Sequence, residues 1–174
     1  FTWWLVKNSP GTAEPRAPKT VRHEPDYIME SFTLQRYTAD GALAVQIQGA
    51  QLRHYPDTDL LEIDGVQLVA TGQDGSITRA TAKKASAKGD GSEVKLEGGA
   101  RVVQEGSDLI EPMEVEGEFL HAFLKTKQLH SRLPVRVRQG TSELRVAALQ
   151  VDNLKQVAVL GGPIRMQIQP LKKK

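Results

Sequence analysis

Carboxylates, imidazoles and hydroxyls are the groups in this chain that could do chemistry. Glu111, Glu114, Glu116 and Glu118 crowd into residues 111–118. Two carboxylates flanking a glycosidic bond are what a glycoside hydrolase needs. Glu114, Glu116 and Glu118, however, alternate with Met113, Val115 and Phe119. On a strand they share one face, which reads as solvated. His23, His54, His121 and His130 are the four imidazoles. None stands in an HExxH or HxH arrangement, so their spacing nominates no metal site. Serines and aspartates are plentiful but no GxSxG elbow marks a nucleophile. Glycines fall in ones and twos, without a P-loop or a GxGxxG. Cysteine is absent, which removes disulfides, thiol catalysis and cysteine zinc sites. These residues point to no catalytic group, no metal and no cofactor.

Stepping from residues to bulk properties, 174 residues read as one domain. Such a domain buries about 70% of its unfolded surface and requires no staple. The balance of 23 basic and 21 acidic residues is nearly even, with a net charge of +2. Basic residues such as Arg132, Arg136, Arg138 and Arg145 are scattered singly, with no stripe interleaved with aromatics. That excludes a nucleic-acid partner from the expectations. Hydrophobic content of 39% with 5% aromatics is lean, so a thin core or an open groove is expected.

The elements that must position any site are strands. Ile28, Phe32 and Leu34 share one parity, Leu43, Val45 and Ile47 another, and Leu61 and Ile63 a third. A period of two marks strands with one apolar face. Asp40-Gly41 is a hairpin signal and Pro56-Asp57 the next turn. Further strands are predicted around Val66–Ala70, Ile77–Lys84, Glu93–Val103, Met113–Phe119, Val135–Val137, Leu144–Val146, Gln156–Leu160 and Ile164–Ile168. A bulge is expected at Gly98-Gly99. No window shows a convincing 3.6-residue period. Turn signals every 8–12 residues or so suggest an all-β sandwich, jelly roll or barrel.

At the N-terminus, Trp3-Trp4 followed by Lys7 is what the end of a spanning helix looks like at the headgroup level. Residues 1–7 are therefore read as the C-terminal end of a transmembrane helix. Residues 8–24, with Pro10, Gly11, Pro15 and Pro18, read as a flexible linker. Residues 25–169 form the folded domain, and residues 170–174, with Lys172, Lys173 and Lys174, a basic tail. If two such sheets splay rather than seal, the space between them suits lipid tails. The plainer alternative is an ordinary sandwich core.

The run Glu24-Pro25-Asp26-Tyr27, the strand through Tyr37, Asp40-Gly41-Ala42-Leu43 and the strand ending Leu52-Arg53-His54-Tyr55 resemble LptC. That family is the membrane-anchored inner-membrane component of the lipopolysaccharide export bridge of Gram-negative bacteria. The resemblance continues through residues 77–85, Glu93-Val94-Lys95-Leu96-Glu97-Gly98 and Asp152-Asn153. It implies an open, twisted, antiparallel β-jelly roll of two sheets, with acyl chains between them and sugars and phosphates outside. It implies lipopolysaccharide as ligand, an inner-membrane ABC transporter at the N-terminal edge, and a soluble LptA-like bridge protein at the C-terminal edge. It also implies anchoring in the inner membrane by one N-terminal helix, with the domain in the periplasm. Ile28, Phe32, Leu34, Ile47, Leu61, Ile63, Val115, Phe119, Val157 and Val159 are the groove candidates by parity and resemblance. Ile164, Met166 and Ile168 are the candidates for partner binding at the C-terminal edge. A soluble lipid carrier of the LptA type, and a carbohydrate-active β-sandwich enzyme built on the glutamates, stand as alternatives.

Overall fold

The structure is a computed structural model that describes residues 22–72, 75–106, 111–124, 126, 128–152 and 157–168. The expected end of a spanning helix at residues 1–7, most of the linker and the tail at 170–174 lie outside the described residues. Among the described residues there is no helix, and none long and apolar enough to cross a membrane.

Among the described residues, twelve strands form one antiparallel sheet. They are β1 (Tyr27–Tyr37), β2 (Leu43–Tyr55), β3 (Leu60–Thr71), β4 (Ile77–Lys88), β5 (Glu93–Gln104) and β6 (Met113–Phe123), followed by shorter pieces. These are β7 (Gln128–Ser131), β8 (Val135–Gln139), β9 (Ser142–Val146), β10 (Ala148–Asp152), β11 (Val157–Gly161) and β12 (Arg165–Ile168). The first six pair in sequence order. β7 and β8 both pair with β6, β10 and β9 pair with them in turn, and β11 and β12 follow. The short pieces are thus three long strands, each interrupted once. Val66–Ala70, expected as a separate strand, is the second half of β3, continuous through Gly65.

The interruptions line up into a crease that crosses every strand. On β1 it falls at Ser31, whose φ is 48°, and on β3 at Gly65, with φ 64°. Register slips between Thr81 and Lys84 on β4, and between Glu97 and Ala100 on β5. The second slip is the expected bulge at Gly98-Gly99, where both residues have positive φ. An added residue increases twist and bends a strand, and glycine enters the left-handed region without steric penalty. Residues 132–134, Ala147 and residues 162–164 continue the line.

Bending along this line divides the sheet into two half-sheets. The first holds residues 27–30, 51–55, 60–64, 84–88, 93–97 and 120–123 with β7, β10 and β11. The second holds residues 32–37, 43–48, 66–71, 77–81, 101–104 and 113–117 with β8, β9 and β12. One apolar core joins them. Leu52, Ile63, Ala85, Leu96, Leu120 and Leu149 come from the first, and Phe32, Val66, Ala80, Val115, Val135 and Val146 from the second.

The inward parity switches at the crease on most strands. β3 turns Leu61 and Ile63 inward before it, then Val66 and Leu68 after it. β4 switches from Ala80 and Ala82 to Ala85, and β6 from Val115 to Leu120. A period-two pattern carried through a whole strand therefore assigns one half to the wrong face.

Candidate functional site

The space between the half-sheets is a cavity of about 480 Å³. Leu34, Ile47, Leu68 and Val102 line it from the second half-sheet, and Leu61, Val94, Leu96, Leu120 and Leu129 from the first. The cavity is apolar and walled by strands of both half-sheets. Its polar lining residues are few: Gln35, Arg36, Thr78 and Lys88, with glycines of the β4–β5 turn. Lys88 donates to Glu93 at 2.6 Å, which holds the ammonium above its ordinary range and the carboxyl below its own. A volume of this size falls in the range of small-molecule sites. A wall of this chemistry accepts hydrocarbon, at about 0.8 kcal/mol per buried CH₂.

The groove candidates divide. Leu34, Ile47 and Leu61 line the cavity. Phe32, Ile63 and Val115 are buried in the core beside it. Ile28 does not join them: it is 53% exposed, and its neighbour Met29 packs on the core instead. Phe119 lies on the other face. Its ring sits 4.8 Å beneath the Arg132 guanidinium and edge-on to His121 at 6.3 Å, while Leu120 takes the core position. Both corrections follow from the parity switch. Val159 is a third: it pairs with exposed Gln150 and is 58% exposed, while Leu160 packs inward opposite Leu149. Val157 is in β11 opposite Asp152. Ile164 is exposed just before β12, and Met166 and Ile168 pair through their backbones with Leu144 and Ser142. Leu68, Val94, Leu120 and Leu129 were not among the candidates. Leu68 and Leu120 lie beyond the parity switches at Gly65 and Gly117, which a single period cannot carry.

The glutamates face outward. Arg101 bonds Glu114, and Glu116 receives Arg136 at 3.4 Å and Arg138 at 3.2 Å. The Arg101 hydrogen bond holds the Glu114 carboxyl below its usual range. Neither carboxylate lines the apolar cavity. Among the described residues no three His, Asp or Glu side chains are grouped to hold a metal ion.

A second cluster closes the end of the domain near the chain start. His23 Nδ1 lies 2.8 Å from Asp57, and its ring stacks on Tyr55 at 4.4 Å. His54 reaches Asp26 at 2.7 Å and Asp59 at 3.3 Å. The hydrogen bond to Asp26 raises the His54 pKa. Among the described residues, His23 thus already contacts the domain, two residues before the expected boundary.

Comparison with known proteins agrees with this architecture. The structure superposes with a TM-score of 0.61 on LptH of Pseudomonas aeruginosa, described as the LptA-homologous periplasmic component of the lipopolysaccharide transport device. The two share 18% identity over 72% of this chain and 95% of the other, a likeness of fold. No curated protein matches by sequence. A family model for LptC-related lipopolysaccharide assembly matches residues 1–169. The chain belongs to the LptC-related family of lipopolysaccharide-assembly proteins.

Proposed function

We propose that the cavity between the half-sheets carries the acyl chains of lipopolysaccharide during its transport across the periplasm. The observation that supports it is an apolar channel of about 480 Å³, walled from both half-sheets, in a chain of this family. Binding and hand-over require no bond to be made or broken. The domain receives lipid from an inner-membrane ABC transporter at the β1 edge and passes it on at the opposite edge. Among the described residues β1 pairs only with β2, β11 only with β10, and β12 only with β9. Unpaired strand edges are templates for another chain. The edge that passes lipid on is made of two pieces, β11 and β12, rather than one last strand, and a soluble LptA-like protein adds a strand there. A single N-terminal helix holds the domain at the inner membrane.

Photo-crosslinking in cells tests the reading. A benzophenone side chain at Ile47, Leu61 or Leu68 should capture lipopolysaccharide. The same group at Ile28, Phe119 or Val159 should not. Capture from all six positions alike would rule out the cavity as the route.

A further inference from the structure

Three arginines stand side by side on the outer face. Arg136 pairs with Arg145 across β8 and β9, and Arg145 with Arg165 across β9 and β12. Directly opposed side chains in antiparallel strands are about 5 Å apart at Cβ, and like charges there are destabilising. The neighbouring row shows the ordinary solution. There Glu114 opposes Arg138, and Arg138 opposes Glu143, so the charges alternate.

Carboxylates only partly relieve the arginine run. Arg136 meets Glu116 at 3.4 Å and Glu143 at 3.7 Å, and Arg145 meets Glu143 at 2.7 Å. Arg136 Nε is buried without a hydrogen-bond partner. Arg165 is exposed and has no ion-pair partner among the described residues. A cleft of about 680 Å³ lies along the crease beside them, apart from the lipid cavity. Arg101, Arg136, Arg145 and Arg165 line it against Glu116 and Glu118, an excess of two positive charges. Its remaining wall is small and apolar, including Gly99, Gly117, Ala147 and Pro163, so an incoming group can approach the backbone closely.

We infer that this crease cleft is an anion site, in which Arg136, Arg145 and Arg165 take a phosphate or phosphomonoester. Guanidinium groups offer paired N–H donors that match phosphate oxygens. A dianion bound there offsets the mutual repulsion of the three arginines. The phosphate has two possible sources, the phosphorylated headgroup of the carried lipid or free inorganic phosphate. The first rests on the transport reading above, whereas the second is independent of it.

The test follows arginine Nε–Hε resonances of the whole chain by NMR at ionic strength held constant with chloride. Three probes are titrated: inorganic phosphate, deacylated lipopolysaccharide headgroup, and the same headgroup with its phosphates removed. Saturable shifts at Arg136, Arg145 and Arg165 with the first two probes, and none with the third, are expected. Arg145→Gln with Arg165→Gln should weaken phosphate binding by about tenfold or more, charge-assisted bonds being the strong ones. If the headgroup binds about tenfold more tightly than phosphate, the lipid is the source. If phosphate binds as well or better, free phosphate is. In chloride, Arg165→Gln should leave the melting temperature unchanged or raised, and phosphate should then no longer raise it as it does in the parent chain. Absence of saturable shifts with any probe overturns the site. So does a lowered melting temperature in Arg165→Gln with the phosphate response intact, since the arginine would then be structural. Crosslinking from the interior cavity does not depend on these arginines, so the two readings fail separately.

Discussion

The two half-sheets present the same inner surface and different outer ones. Inside, each contributes aliphatic side chains to one cavity. Outside, the second half-sheet carries the Arg–Glu network of Arg101, Glu114, Glu116, Arg136, Arg138, Glu143 and Arg145. The four histidines all belong to the first half-sheet or dock against it. His121 lies tilted against Phe123, ring centroids 4.1 Å apart, and Phe123 lies 5.0 Å from His130. The common inner chemistry is what a hydrocarbon ligand held between two walls demands. The outer faces meet water and partners, and are free to differ. Arg101 and Arg145 hold the Glu114 and Glu143 carboxyls below their usual range. In the other half, Asp26 raises the pKa of His54 and burial lowers that of His121.

The sharpest way to break this comparison is at the parity switch on β6. Leu120 is 1% exposed and fills the core, while adjacent Phe119 lies outside under Arg132. Leu120→Ala should cost about 2–5 kcal/mol in urea unfolding. Phe119→Ala should cost about 1–2 kcal/mol, from partial burial and one cation–π contact. Phe119 costing more than Leu120 would mean that the strand does not switch faces.

That switch also marks how far the fold is legible in the sequence. Turns at Asp40-Gly41 and Pro56-Asp57, the bulge at Gly98-Gly99 and the all-β class follow from local chemistry, and the structure has them. Leu34, Ile47 and Leu61 line the cavity, each on a half-strand along which the period of two holds. Ile28 shares the parity of Phe32 in the sequence, but Ser31 intervenes in a left-handed conformation. Serine is not a residue that announces positive φ. Phe119 likewise shares the parity of Val115 across Gly117, and a lone glycine does not tell a bulge from a tolerated gap. The arginine run could not be read at all, because opposition across β8, β9 and β12 depends on register.

A smaller effect should come from the hinge between the halves. A Cβ on Gly49 would lie 2.7 Å from Ile63 Cγ2 and 2.7 Å from the Phe32 ring. Phe32 belongs to the second half-sheet and Ile63 to the first, so the glycine lets one from each side meet. Gly49→Ala should cost about 1–3 kcal/mol by overpacking, and should spread the half-sheets. Thermal unfolding reads the first effect. A change in scattering profile or in probe binding by the cavity reads the second. A variant as stable as the parent would mean that the halves separate freely at this point.

The smallest effect belongs to pH, and it should reach one half only. His54 hydrogen-bonds Asp26 and Asp59 through its two ring nitrogens, an arrangement in which both donate only when the ring is protonated. Asp26 raises its pKa above 6.5. The folded state therefore holds this proton more tightly than the unfolded chain does. The stabilisation is fully present below the unfolded value near 6.5 and is lost as pH rises through the folded value. His121 runs the other way: burial lowers its pKa, so protonating it opposes folding at pH below 6.5. His54→Asn isolates the first contribution, since His121 remains. Amide exchange of residues 22–30 and 51–60 should slow on going from pH 7.5 to 5.5 or so after correction for intrinsic rates. In the variant that extra protection should disappear, while β8, β9 and β12 show no difference between the two proteins. Equal pH dependence in parent and variant would remove His54 from the account, and a matching change in β8 or β9 would show that the two halves do not respond separately.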